Sequence, residues 1–149
     1  MRTDVKIQPA KQADLNKIIR LLSKEQLPVI DMGDEAVHLF VAMIRDEIIA
    51  VIGLEKYKNK GLLRSLAVEE AYKNQKTGEA MIKYLFEYCD KEKITALYLL
   101  TTTAENYFTR FGFQQTDRFK VPAVIRQTRE FKDLCPASAV VMVRLMENQ

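Results

Sequence analysis

The residues best suited to chemistry form a short basic turn between a predicted strand and a predicted helix. The strand pattern ends at Val68, and the helical pattern begins near Thr77. The first N–H groups of a helix have no partners inside the helix, and the helix dipole places partial positive charge there. The turn consists of Lys73, Asn74, Gln75, Lys76, Thr77 and Gly78, and Glu79 follows it. This arrangement suits a phosphate-bearing ligand, with a charged loop before an ordinary helix as the alternative.

Three polar residues elsewhere are candidates to bind a substrate. Arg64 lies inside an apolar strand pattern, where a guanidinium needs a carboxylate from either the protein or a ligand. Arg126, in a predicted helical segment, is a second candidate for a ligand carboxylate, and an exposed surface arginine is the alternative. Thr102 belongs to a threonine run that ends a predicted strand, where a hydroxyl could meet a substrate. We expect Thr103 of this run to cap the following helix.

Composition narrows the class of protein. The chain has 149 residues, of which 48% are hydrophobic and 29% charged, as is typical of one globular domain. The net charge of +3 is too small for a dedicated nucleic-acid binder. No apolar run could span a membrane and no signal peptide is evident, so a cytoplasmic location is the default expectation. The two cysteines, Cys89 and Cys135, suggest neither a metal site nor a disulfide framework.

Periodicity predicts alternating strands and helices. The predicted strands are Val5 to Gln8, His38 to Arg45, Ile48 to Tyr57, Leu62 to Val68, Ala96 to Thr101 and Ala137 to Met146, with another extended stretch from Phe113. The predicted helices are Asp14 to Leu22, Thr77 to Glu92, Ala104 to Phe111 and Pro122 to Asp133. Because hairpins and crossover helices are mixed, we expect one α+β domain over residues 1–149, with a mixed central β-sheet flanked by helices.

The basic turn resembles the pyrophosphate-binding segment of the GCN5-related N-acetyltransferases (the GNAT superfamily), which bind acetyl-coenzyme A. The family turn usually reads Arg/Gln-x-x-Gly-x-Gly/Ala. In this chain Lys73 takes the first place, Lys76 replaces the first glycine and Gly78 keeps the last. The order of elements is also that of the GNAT fold, in which two central strands splay apart beyond a bulge. The resemblance implies that Leu62 to Val68 and Ala96 to Thr101 are this pair.

A second segment, TTTAENYFTRFGF from Thr101 to Phe113, resembles the family pattern Asn-x-x-Ala-x-x-Leu-Tyr-x-x-x-Gly-Phe. In many relatives that tyrosine protonates the leaving thiolate, but Phe108 stands in its place and has no exchangeable proton. The resemblance implies that Phe108 packs along the cofactor. Tyr107 is displaced by about 100° around the helix, so we expect its hydroxyl to point elsewhere, as a core aromatic.

The resemblance implies that an amine attacks the thioester directly in a ternary complex, without an acyl-enzyme and without a metal. The thiolate then leaves unprotonated or takes a proton from water. Backbone N–H groups of Leu66, Ala67 and Val68, which match the family's Leu-x-Val segment, would bind the thioester oxygen. A base must accept the proton of the amine, and Glu55 is the first candidate and Glu69 the second. For both residues the alternative is an exposed carboxylate without a catalytic role.

One branch of the superfamily is more similar to this chain. The strings LLRSLAV, LYLLTTTA and VPAVIRQTREFKDLCPASAVVM resemble small acetyltransferases of arsenic-resistance gene clusters, and also the acetyltransferase domain of N-acetylglutamate synthases. This branch implies a small, amino-acid-like amine as acceptor; Cys135 is expected to be a buried small residue. The sequence is compatible with a homodimer. The alternative function is a degenerate GNAT-fold protein that binds coenzyme A or a partner without turnover.

Overall fold

A single seven-stranded sheet organises the protein, and its strands lie in the order β1-β2-β3-β4-β5-β7-β6. The computed structural model describes residues 5–29, 36–73, 75–134 and 138–146. The strands are β1 (Val5–Pro9), β2 (Val37–Ile44), β3 (Glu47–Tyr57), β4 (Lys60–Val68), β5 (Ala96–Thr101), β6 (Gln114–Gln115) and β7 (Val140–Leu145). The α-helices are α1 (Leu15–Lys24), α2 (Thr77–Lys91), α3 (Glu105–Thr109) and α4 (Ala123–Arg126).

The sheet is mixed, as the sequence predicts. Strands β1 to β4 form an antiparallel meander, because hairpins connect β2 to β3 and β3 to β4. The connection from β4 to β5 passes through α2, so these two strands run parallel. Strand β7 then pairs antiparallel with β5 and β6. The predicted fold class, a mixed sheet flanked by helices, is confirmed.

Apolar faces of the two long helices cover opposite faces of the sheet. Helix α1 buries Ile18, Leu21 and Leu22 in a cluster that includes Val41 and Val51. Helix α2 buries a second set of side chains at helical spacing, in the cluster that also contains Phe40 and Ile52. This set is Met81, Ile82, Leu85 and Cys89. Neighbouring residues of one strand therefore serve two cores, which fixes the register of the meander.

The segment predicted as one helix from Pro122 to Asp133 is divided in the structure. Helix α4 ends at Arg126, and a π-helical turn spans Glu130–Leu134. The buried Thr128 hydroxyl donates to the Ile125 carbonyl at 2.8 Å and accepts from the Phe131 N–H at 3.2 Å. A side chain that bonds to both neighbouring turns competes with regular helix hydrogen bonds. Ala137, the first residue of the predicted last strand, lies outside the described residues, as does Cys135.

Cys89 is fully buried in the α2 cluster, and this burial raises the pKa of its thiol to about 12. We therefore expect the thiol to stay protonated at neutral pH and to be unreactive, since the thiolate is the nucleophile. In a Cys135→Ser variant, iodoacetamide should label Cys89 in denaturant but not in the folded protein. Rapid labelling under native conditions would contradict the burial of Cys89.

Among the described helices, none is both long and apolar enough to cross a lipid bilayer.

Candidate active site

The sheet opens between β4 and β5. These strands pair only from Lys60 to Leu62, opposite Ala96 to Tyr98. Beyond that point β4 continues to Val68 and β5 to Thr101 without a mutual ladder. A cavity of about 830 Å³ fills the gap, within the size range of small-molecule sites. The splayed strand pair expected from the resemblance is confirmed.

The cavity extends from this gap to the start of α2. Its lining includes residues of β4, of the basic turn, of β5 and the loop after it, of α3 and of the π-helical turn. Among the lining residues are Arg64, Ser65, Leu66, Ala67, Val68, Lys73, Lys76, Thr77, Gly78, Glu79, Thr102, Tyr107, Phe108, Arg110 and Glu130. One continuous space therefore joins the helix start to the strand gap.

A bulge interrupts β4 where it borders the cavity. Val51 of β3 pairs with Ala67 and Gly53 pairs with Arg64, so one residue of β3 faces two of β4. Ser65, at the bulge, has φ of 60°, a left-handed conformation that costs a non-glycine residue about 1 kcal/mol or more. Strain of this kind at a cavity wall is typical of a functional site, and the bulge changes the direction of the β4 backbone toward the gap.

The N-terminus of α2 is open toward the cavity. Its N-cap, Lys76, has φ of 63° and makes no capping hydrogen bond with its side chain. Two other side chains of the turn bond backward: Thr77 Oγ1 donates to the Tyr72 carbonyl at 3.3 Å, and Gln75 Nε2 donates to the Ala71 carbonyl at 3.2 Å. The side chain of the N-cap residue therefore occupies none of the first amides of α2. The first amides of α2 are thus directed at the site predicted for an anion.

The two lysines of the turn differ in their surroundings. Lys73 Nζ lies 3.0 Å from Glu25 and 3.3 Å from Glu70, and the hydrogen bond to Glu25 is the main cause of its raised pKa. Its charge is therefore already compensated, which weakens its predicted role as a phosphate ligand. Among the described residues Lys76 has no ion-pair partner, so it is the better candidate. Glu79 pairs with Lys83 at 2.9 Å, which lowers the Glu79 pKa.

Gly78 lies directly beneath an aromatic side chain. A Cβ added at Gly78 would be 2.6 Å from Tyr107 Oη, a distance too short for two heavy atoms that are not bonded. The Tyr107 hydroxyl thus points at the start of α2, and burial raises its pKa. Phe108 is only 7% exposed and packs against Phe113, with ring centroids 5.7 Å apart. The expectation that the Tyr107 hydroxyl points away from the site as part of the core is therefore wrong, because Tyr107 lines the cavity at the start of α2.

Arg64 belongs to a buried charge network, in which other side chains of the protein bind its guanidinium. Its Nη1 lies 2.6 Å from Glu55 Oε2, and its Nε lies 3.3 Å from Glu130 Oε1 and 3.1 Å from Ser65 Oγ. Tyr57 Oη donates to the other Glu55 oxygen at 2.6 Å. Of the two alternatives for Arg64, an internal carboxylate rather than a ligand carboxylate is the partner seen here.

The structure brings some predicted site residues together and separates others. Glu55 is 4% exposed, so it is a member of the buried Arg64 network and not a solvated carboxylate, and it lies outside the cavity lining. Glu69 also lies outside the lining, and its carboxylate binds Lys24 Nζ at 2.7 Å. The assignment of either carboxylate as the base stays a prediction. Thr102 does line the cavity.

Two further expectations from the sequence are corrected. Arg126 lies outside the lining, because its Nε donates to the Val121 carbonyl at 3.0 Å, and its side chain is otherwise exposed. Thr101, rather than Thr103, bonds to the start of α3: its Oγ1 accepts from the Ala104 N–H at 3.0 Å. Thr103 is exposed at the cavity.

Sequence reasoning missed three charged residues of the lining, Glu25, Glu130 and Arg110. The need of Arg64 for a carboxylate was a signal for Glu130, although it could not choose among the glutamates and aspartates. Arg110 stacks over the Tyr107 ring at 5.2 Å, and no local pattern marks it.

Comparison with known protein families identifies one family model that matches the chain. Residues 35–115 match the family model described as the acetyltransferase (GNAT) domain. No curated protein sequence matches the chain significantly.

Several solved structures share the fold. N-acetylglutamate synthase from Neisseria gonorrhoeae, complexed with coenzyme A and N-acetyl-glutamate, superposes with a TM-score of 0.83 at 18% identity. The match covers 99% of this chain but 36% of the synthase, so the chain spans about a third of that protein's length. A GNAT-family acetyltransferase from Staphylococcus aureus gives 0.81 at 17% identity, covering 96% of this chain and 99% of that one. Tetrahymena GCN5 gives 0.76 at 17% identity, covering 98% of each chain. Identities this low demonstrate a common fold alone.

Proposed function

The chain belongs to the GNAT acetyltransferase family and carries an acyltransferase domain, and we propose that it transfers the acetyl group of acetyl-coenzyme A to the amine of a small molecule. The observation that carries this proposal is the cavity that joins the open N-terminus of α2 to the gap between β4 and β5. A long ligand with phosphate at one end and a thioester at the other fits such a space. We further propose that residues 1–149 act as one catalytic domain.

The residues at the start of α2 fit the diphosphate of the cofactor. The free amides of Thr77, Gly78 and Glu79 would donate to phosphate oxygens, and the helix dipole would favour the negative charge. Lys76 would add a cation without first giving up an ion pair. Gly78 keeps the helix start free of side-chain bulk, and Phe108 would pack along the pantetheine arm.

The bulge in β4 is suited to bind the thioester oxygen. Beyond Leu62 the edge of β4 that faces β5 has no strand partner, so backbone N–H groups near Leu66, Ala67 and Val68 can face the cavity. Preorganised amides stabilise the oxyanion that forms when an amine attacks a thioester carbon. The cofactor supplies an activated acetyl group and a thiolate leaving group.

The side chains near the gap decide how protons can reach the thiolate and leave the amine. Because Phe108 has no exchangeable proton, the departing thiolate would leave unprotonated or take its proton from water. Glu55 and Glu69 lie outside the lining, so either carboxylate would accept the proton of the amine through an intervening water. The reaction proceeds by direct attack in a ternary complex.

The acceptor is proposed to be a small amine. The resemblance to the arsenic-resistance branch supports this size class, as does the neighbour that holds N-acetyl-glutamate. Membership of that branch is itself a proposal. The protonated, buried Cys89 thiol gives no support to a thiol role in arsenic binding.

A turnover assay tests the proposal. Thiol release from acetyl-coenzyme A should accelerate at least tenfold over the background rate with one or more members of a panel of small amines, including amino acids and simple alkylamines. Mass spectrometry should detect the N-acetylated product. Coenzyme A binding without thiol release for any amine would favour a binding protein that lacks catalysis. Absence of coenzyme A binding would reject the proposed site itself.

A further inference from the structure

Glu130 is a buried carboxylate at the wall of the cavity. It begins the π-helical turn, a rare conformation that is frequent at functional sites. The residue is 5% exposed and nevertheless belongs to the cavity lining. Its Oε1 lies 3.3 Å from Arg64 Nε, the same nitrogen that donates to Ser65 Oγ at 3.1 Å. The Glu130 carboxylate therefore lies beside the β4 bulge, next to Arg64 and on the wall of the same cavity.

We propose that Glu130 binds the protonated amine of the acceptor, and that the preferred acceptor has no carboxylate next to this amine. The inference rests on the proposed transferase function and makes it more specific. It differs from the expectation of an amino-acid-like acceptor whose carboxylate would bind Arg64.

The charges around the bulge support this assignment. The guanidinium of Arg64 is paired with Glu55 and Glu130, and its side chain is fully buried. A substrate carboxylate could reach it only by displacing a buried carboxylate, which would leave a desolvated charge without its partner. An ammonium group, in contrast, adds a partner for Glu130 without breaking the pair with Arg64, because a carboxylate has about four acceptor positions.

Two cations of the lining lie at the other end of the cavity. Lys76 and Arg110 both contribute to lowering the Glu79 pKa, so both lie near the first turn of α2, at the proposed diphosphate site. At the bulge, in contrast, the two carboxylates of Glu55 and Glu130 outnumber the single guanidinium of Arg64. An acceptor carboxylate beside the reacting amine would meet Glu130 as a like charge.

Matched amines test the substrate class on the wild-type protein. We expect kcat/KM to be at least tenfold higher for 3-methylbutan-1-amine than for leucine, and for 2-phenylethylamine than for phenylalanine. Each pair differs by one carboxylate. The decarboxylated amines are the more basic, so a smaller fraction is free to attack, and this works against the expected preference. Equal values, or a preference for the amino acids, would overturn the proposal.

The Glu130→Gln variant tests whether Glu130 binds the amine of the acceptor. Gln keeps the size and an acceptor for Arg64 but lacks the charge. We expect the KM for the preferred amine to rise at least tenfold while the KM for acetyl-coenzyme A changes less than twofold. An unchanged amine KM would overturn the assignment of Glu130. If this variant does not fold, the matched amines decide alone.

A failure of the transferase proposal would be recognisable separately, as absence of thiol release with every amine. Calorimetry would then compare 2-phenylethylamine and phenylalanine as ligands of the coenzyme A-loaded protein. Tighter binding of 2-phenylethylamine would support the amine subsite at Glu130. Equal binding, or none by either compound, would overturn it.

Discussion

Replacement of Gly78 by Glu is expected to weaken coenzyme A binding at least 100-fold, about 2.7 kcal/mol of binding free energy. Two physical effects act together. The new side chain would enter the cavity at the α2 start, where a Cβ alone lies 2.6 Å from Tyr107 Oη. The added carboxylate would also compete with the diphosphate for the helix amides and repel it. Isothermal titration calorimetry with coenzyme A measures the effect.

Two control variants separate these effects from general damage. Ala80→Glu adds the same charge to the same helix at an exposed residue outside the lining, and its affinity for coenzyme A should stay within about threefold of wild type. Gly78→Gln adds the bulk without the charge and should give an intermediate loss. Circular dichroism should show that all three variants are folded, since an acidic residue near a helix N-terminus is favourable. If Gly78→Glu bound coenzyme A with unchanged affinity, the diphosphate would not bind at this helix start.

The sequence predicted the elements that depend on local patterns. The largely apolar stretch from Leu62 to Val68 and the helical spacing after Thr77 are strong signals, because most of these apolar side chains are buried in the core. The structure places these elements as expected, with the bulge and the splayed strands between which the cavity lies. The helix start at Lys76 was also predictable, since a basic turn preceded a long amphipathic pattern.

The charge partners of the site were not predictable in the same way. Arg64 could have bound any internal carboxylate or a ligand, and only the tertiary structure shows that Glu55 and Glu130 surround it. Glu130 is distant in sequence and begins a π-helical turn, which the helical pattern of Pro122 to Asp133 concealed. Likewise, nothing local reveals that Lys73 is paired with Glu25. Long-range ion pairs therefore decided which predicted residues remain candidates.

Replacement of Arg64 by Met is expected to destabilise the protein by about 3 to 5 kcal/mol, the usual cost of removing one partner from a buried ion pair. The guanidinium side chain is fully buried, and its loss leaves the Glu55 and Glu130 carboxylates without their shared cation. Chemical denaturation with urea measures the free energy of unfolding. A stable variant with a raised KM for the acceptor alone would instead mean that Arg64 binds the substrate.

A compensated variant shows whether the charge imbalance causes this loss. In Arg64→Met combined with Glu55→Gln and Glu130→Gln, no charge remains in the network, so at least half of the lost stability should return. Glu69→Gln combined with Arg64→Met is the matched control, because Glu69 is paired with Lys24 and does not touch the network. It should restore nothing. If the triple variant were no more stable than Arg64→Met, lost packing around the arginine stem would be the cause, and the carboxylates beside the cavity would not depend on Arg64 for their stability.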